Sequence, residues 1–144
     1  MSIIQTTCTS FKLELLKAEH DFDAHTFRIA LYSSSASLGA DTTAYSTANE
    51  ITNTSGTAYT AGGKPLTITS TFPKTSGTTA IVDFDNITWT DASFTVRGAL
   101  IYNASASNKA VAVLDFGSDR VASNSTFEIT FPVADATSAI IRIA

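Results

Sequence analysis

Apolar and polar positions alternate, or cluster into short runs of β-branched and aromatic residues, along most of the chain. At 26–32, Phe27, Ile29 and Leu31 alternate with Arg28 and Ala30, the two-residue period of a half-buried strand. Strand composition also marks 66–72, 79–84, 94–102, 109–116 and 125–131, and 139–143 makes a seventh segment. Ala80, Val82 and Phe84 are expected on one face, as are Phe127, Ile129 and Phe131, the latter alternating with Thr126, Glu128 and Thr130. The runs at 94–102 and 110–116 are almost continuously apolar, which fits strands central to a two-sheet packing. Short strands parted by Gly, Asn, Asp and Ser clusters predict an all-β fold, a β-sandwich of jelly-roll type. Its expected core is Phe27, Ile29, Leu31, Val82, Phe84, Leu114, Phe116, Phe127, Ile129 and Phe131.

One short helix is expected over 11–19, with Ser10 as its N-cap because a hydroxyl there accepts a bond from a free first-turn amide. Phe11, Leu15 and Ala18 then share a face while Leu13 and Leu16 point elsewhere, so the helix needs cover on two sides. Its own sheet supplies one cover, and a neighbouring protein or a folded-over loop supplies the other. From 33 to 63 the composition turns to Ser, Thr, Ala and Asn with the anchors Leu38, Tyr45, Ile51 and Tyr59, which predicts an extended arm or an elaborated loop. Gly62 and Gly63 signal a primed hairpin turn, and Pro65, which has no donor, predicts an edge strand. At 144 residues the chain is expected to form a single domain, 1–144, with residues 1–10 as an N-terminal arm.

Composition narrows the function classes. The single cysteine, Cys8, cannot form an intrachain disulfide, which fits assembly in a reducing compartment. The first residues lack the basic and apolar regions of a signal peptide, and no apolar run approaches the ~20 residues of a membrane span, so synthesis in the cytoplasm and no membrane partner are expected. A net charge of −4 opposes attraction to polyanions, which argues against nucleic acid. Only 15% of residues are charged, leaving a surface of hydroxyls, amides and apolar groups suited to packing against other subunits.

Candidate chemistry is sparse. Both histidines lie at 19–25 among Glu19, Asp21 and Asp23, but His20 and His25 are five apart, wrong for two ligands on one helical face, and no third histidine exists. The segment reads as a helix-end charge cluster. No Gly-x-Ser-x-Gly elbow occurs, and the phosphate-loop-like 58–65 lacks its first glycine and has Pro65 where a hydroxyl is needed. Asp83 and Asp85 are spaced as a carboxylate pair on one strand face, yet neither calcium nor glycosidase chemistry follows from one doublet, and Asp85 with Asn86 reads as a turn. Trp89 with Tyr45, Tyr59 and Tyr102 could form a sugar platform; burial of Trp89 would count against it. The chain is therefore expected to be no enzyme and to hold no metal or cofactor.

Several stretches together carry a resemblance: 11–16 (Phe-Lys-Leu-Glu-Leu-Leu) running to His20, Asp21 and Phe22, then 26–32, 59–64, 94–103 and 110–117. In these the chain resembles a family of small tailed-bacteriophage virion proteins, from about Phe11 onward. The resemblance implies a virion structural role. The expected function is a capsid decoration or cement protein on the capsid surface, with the major capsid protein and copies of itself, as a dimer or trimer, for partners. The alternative is a tail- or fibre-associated protein with a carbohydrate-binding β-sandwich. Candidate interface anchors are Phe11, Leu16, Tyr45 and Tyr59, since interfaces draw their energy from a few aromatic and aliphatic residues.

Overall fold

The most apolar segments become the two longest strands, and everything else is arranged around them. The structure, a computed structural model, describes residues 2–52, 58–69 and 71–144. In chain order the elements are β1 (Thr6–Thr7), α1 (Thr9–Leu16), β2 (Phe27–Tyr32), β3 (Lys64–Pro65), β4 (Lys74–Ser76), β5 (Thr79–Val82), β6 (Ile87–Asn103), β7 (Lys109–Ile129) and β8 (Ile141–Ile143). They form a five-stranded sheet of order β1-β7-β6-β2-β3 and a three-stranded sheet of order β4-β5-β8, with every pair antiparallel. The fold is thus all-β and sandwich-like, with one short helix.

Strands β6 and β7 make one long hairpin, in register from Ile87 opposite Ile129 to Asn103 opposite Lys109. Its turn places Ser107 and Asn108 at φ 55° and 58°. Asn103 braces that turn through its side-chain oxygen, which accepts the Ser105 N–H at 3.0 Å. Register shifts between Trp89 and Ala92, between Ala92 and Ser93, and between Val96 and Gly98 bend the ribbon. Gly98 allows a close approach: a Cβ there would stand 2.6 Å from the Leu114 carbonyl oxygen and 2.8 Å from Ile3.

The polar stretch 117–124, between the expected strands 109–116 and 125–131, is part of β7. It is held by pairing of Phe94 with Ala122, Thr95 with Val121 and Val96 with Arg120. The segments 109–116 and 125–131 are therefore one strand. By contrast the described residues of 66–72 form no strand. Leu66 still donates its N–H to the Phe27 carbonyl at 2.8 Å, but the chain then crosses from the first sheet to β4 of the second. Pro65 does lie at a sheet edge, in β3.

Strand β2 is buried on both faces, not half-buried: Ile29, Ala30, Leu31 and Tyr32 are all inaccessible. In β5 the apolar phase also differs, because Ala80 is exposed while Ile81 and Val82 are buried. Of the expected core, Phe27, Ile29, Leu31, Val82, Phe84, Leu114, Ile129 and Phe131 are buried, whereas Phe116 and Phe127 are only partly covered.

The N-terminal segment is no free arm. Ile3 is buried and bridges Leu38, while Thr6 and Thr7 pair with Val113 and Ala112. Ser10 does not cap α1. The N-cap position is Cys8, without a side-chain bond, and the first free amide, that of Thr9, finds the Ala40 carbonyl at 2.8 Å. The helix ends at Leu16 in a Schellman pattern, with Ala18 at φ 61°, its N–H on Leu15 and the Glu19 N–H on Glu14.

Candidate functional site

The helix presents one covered and one bare side. Phe11 is buried, its ring 4.8 Å from that of His20 and 6.1 Å from that of Phe22, and Phe22 stacks on Phe27 at 4.3 Å. Leu15 is partly covered, while Leu13 and Leu16 stand in solvent, Leu16 at 87% exposure. Between α1 and β8 lies a groove of about 350 Å³ walled by Phe11, Leu15, Leu16, Ile141 and Ile143 and rimmed by Lys12 and Arg142. Of the four candidate anchors only Leu16 is freely exposed. Phe11 must be corrected: it is a core residue, because the stripe it shares with Leu15 faces the domain itself.

The same correction applies to the two arm tyrosines. Tyr59 is buried and Tyr45 half-buried, since the arm docks on its own sheet. Tyr45 stacks on Tyr102 at 4.7 Å, and Tyr59 lies against Trp89 and Phe94. Glu50 gathers the arm: its carboxylate accepts the Tyr45 hydroxyl at 2.8 Å, the Tyr59 hydroxyl at 2.6 Å and the Gly62 N–H at 2.8 Å. Burial first, then the Glu50 carboxylate, holds both hydroxyls far above the ordinary tyrosine value. The backbone completes the seal, with Ile51 N–H on the Leu31 carbonyl and Ser33 N–H on the Asn49 carbonyl, each at 3.0 Å. Residues 53–57 of the predicted arm lie outside the described residues.

The glycine pair forms a turn, with the Gly63 N–H on the Thr60 carbonyl at 2.9 Å. Arg28 pins it by donating to the Gly62 and Gly63 carbonyls at 3.4 and 2.9 Å. Gly63, at φ 74°, lies so close to β2 that a Cβ would stand 1.7 Å from the Ile29 carbonyl oxygen. Cys8 is buried, and desolvation pushes its thiol up to about 11.

The histidine segment is built around Asn103, which is fully buried. Its side-chain NH₂ donates to Nδ1 of His20 at 3.1 Å and to Nδ1 of His25 at 3.0 Å. His20 therefore carries its proton on Nε2, which donates to Glu14 at 2.9 Å. At the cluster's other end Glu19 pairs with Lys109, and that bond holds the carboxyl below its usual value. Among the described residues, no three His, Cys, Asp or Glu side chains are grouped so as to hold a metal ion.

Trp89 is buried to 1% exposure beneath Tyr59 and Phe127, with the Lys64 ammonium 5.5 Å from its ring centroid. It offers no open stacking platform. Asp83 and Asp85 differ in burial: Asp83 is buried and Asp85 exposed. The bare apolar side chains that sequence reasoning missed are Ile4, Ile143, Val121 and Val133, all exposed. The alternation of Ile141 and Ile143 around Arg142 is a signal that could have placed Ile143 on the face toward α1.

Fold and surface define an all-β, sandwich-like protein that exposes several large apolar side chains. No match is found among protein-family models, curated proteins or solved structures.

Proposed function

We propose that this protein is a virion structural component of a tailed bacteriophage, a decoration or cement protein that binds the capsid shell through its major capsid protein. The observation that carries this reading beyond the resemblance is the bare apolar side of α1 and β8. Leu16 and Ile143 are exposed beside an apolar groove, and Leu13 is exposed elsewhere on the helix, on a body with few charges. The described residues of the N-terminal segment and of the 33–63 arm are engaged within the domain, so this face takes over the contact role expected of them. A rigid sandwich presenting one such face repeats the same weak contact over a symmetric shell, and many copies make the attachment stable.

Self-association has a second support. Among the described residues, β1 covers the outer edge of β7 only at Ala112 and Val113, and no strand pairs with that edge over residues 117–128. Open strand edges are places where copies of a chain join. The alternative of a tail-associated sugar-binding module loses its platform with the burial of Trp89, Tyr59 and Tyr102.

The test is binding of the labelled protein to undecorated capsids of the phage that encodes it. Saturable binding at a fixed copy number, with raised heat resistance of the shell, is expected. Leu16→Asp should weaken binding while changing the stability of the isolated domain by less than about 0.5 kcal/mol. Failure of the wild-type protein to sediment with capsids overturns the cement reading, and binding to tails instead supports the alternative.

A further inference from the structure

The connection between β5 and β6, residues 83–86, holds a buried carboxylate that the domain leaves half-satisfied. Asp83 is 4% exposed. Its Oδ1 accepts the Phe84 N–H at 2.8 Å, but its Oδ2 is buried without a hydrogen-bond partner among the described residues. A buried oxygen in that state costs about 1–3 kcal/mol, and more when charged, so it calls for a proton or a cation. Burial indeed pushes this carboxyl above its ordinary value.

Beside it opens a cleft of about 400 Å³ lined by Phe72, Asp83, Phe84, Asp85, Asn86 and Phe131. The rings of Phe84 and Phe131 stand 5.6 Å apart at 59°. Three aromatic rings and two carboxylates in one cleft match a cation that carries carbon. The face of Phe72 already accepts an ammonium, that of Lys74, 4.8 Å from the ring centroid, yet Lys74 does not line the cleft. A hard divalent ion fits poorly: calcium takes six to eight oxygens. The Asn86 side-chain oxygen is already engaged by the Phe131 N–H at 2.9 Å.

The geometry points to a socket for a primary alkylammonium group, with Asp83 and Asp85 accepting its N–H bonds and the phenylalanine rings covering its charge and stem. The group is either a lysine side chain of another protein or a free diamine. This goes beyond the capsid reading and does not depend on it.

The experiment is a titration of the ¹⁵N-labelled protein, followed by NMR, with Nα-acetyl-lysine-N-methylamide, with 1,5-diaminopentane, with the neutral norleucine analogue and with calcium chloride. Saturable shifts of the Phe84, Asp85, Asn86 and Phe131 amides are expected with the two ammonium compounds, and the tighter of the two identifies the source. Binding should weaken about tenfold in Asp83→Asn. Should that variant misfold, Asp85→Asn, at an exposed position, is expected to weaken binding severalfold. Absence of saturable shifts with both ammonium compounds, equal shifts with the norleucine analogue, or stoichiometric calcium binding at these residues would overturn the proposal.

Discussion

The hydroxyl of Tyr59 accepts the backbone N–H of Leu31 at 2.9 Å, taking the place that a strand's carbonyl would hold on the side of β2 that β3 pairs only at Arg28 and Ile29. The same hydroxyl donates to Glu50. An arm residue thus closes a sheet edge with its side chain. Tyr59→Phe keeps the packing but strands the Leu31 N–H, and it is expected to cost about 1–3 kcal/mol in denaturant unfolding. A loss within error would show that this edge is satisfied some other way.

Gly63→Ala should be among the most damaging single substitutions in the chain. The added carbon meets the Ile29 carbonyl, which is fixed backbone, and the residue sits at positive φ. A cost of about 3 kcal/mol or more, or failure to fold, is expected. Thermal melts close to wild type would mean that β2 and the turn are further apart than described.

Alkali should unfold the protein as its tyrosines titrate. Tyr32, Tyr45, Tyr59 and Tyr102 are all held above the usual value, in each case first by burial. A group whose folded-state pKa is raised lends stability that is complete below its unfolded value and is lost as pH rises through the folded one. Unfolding free energy should therefore fall above about pH 10, with tyrosinate absorbance appearing together with loss of β circular dichroism. Tyrosinate formed near pH 10 in a protein that keeps its dichroism would contradict this.

Two aromatics of the long hairpin should differ in cost. Trp89 is 1% exposed, whereas Phe127, opposite it in register, is only partly covered. Trp89→Ala is expected to cost about 3–5 kcal/mol and Phe127→Ala less than about 3 kcal/mol. Equal losses in chemical denaturation would mean that Phe127 is as deeply packed as Trp89.

The strands at 27–32, 94–102 and 109–116 were legible because their apolar residues also have strand propensity and are bounded by turn residues. The continuity of β7 through Gly117, Ser118, Asp119 and Arg120 was not. Nothing local favours a strand there, and only pairing with the partner strand imposes it. The described residues of 66–72 fail in the opposite sense: favourable composition is overridden once pairing with β2 ends at the Leu66 N–H on the Phe27 carbonyl. Phe11, Tyr45 and Tyr59 were recognisable as anchors. What an anchor docks on is set by tertiary packing: Glu50 and β2 claim the tyrosines, and His20 and Phe22 claim Phe11. Leu16 is left exposed because its helical position points away from that packing.

The order in which the chain can close follows from the β6–β7 hairpin. Joined by residues 104–108, its strands make contacts near in sequence and zip from a braced turn, so they form early. The pairings of Thr6 with Val113 and of Val82 with Ile141 bring together residues far apart and must wait for large loops to close. Until they do, a long ribbon with open edges stands in solvent. Dilution should therefore favour refolding to the native domain, and crowding should divert that ribbon into pairing between chains.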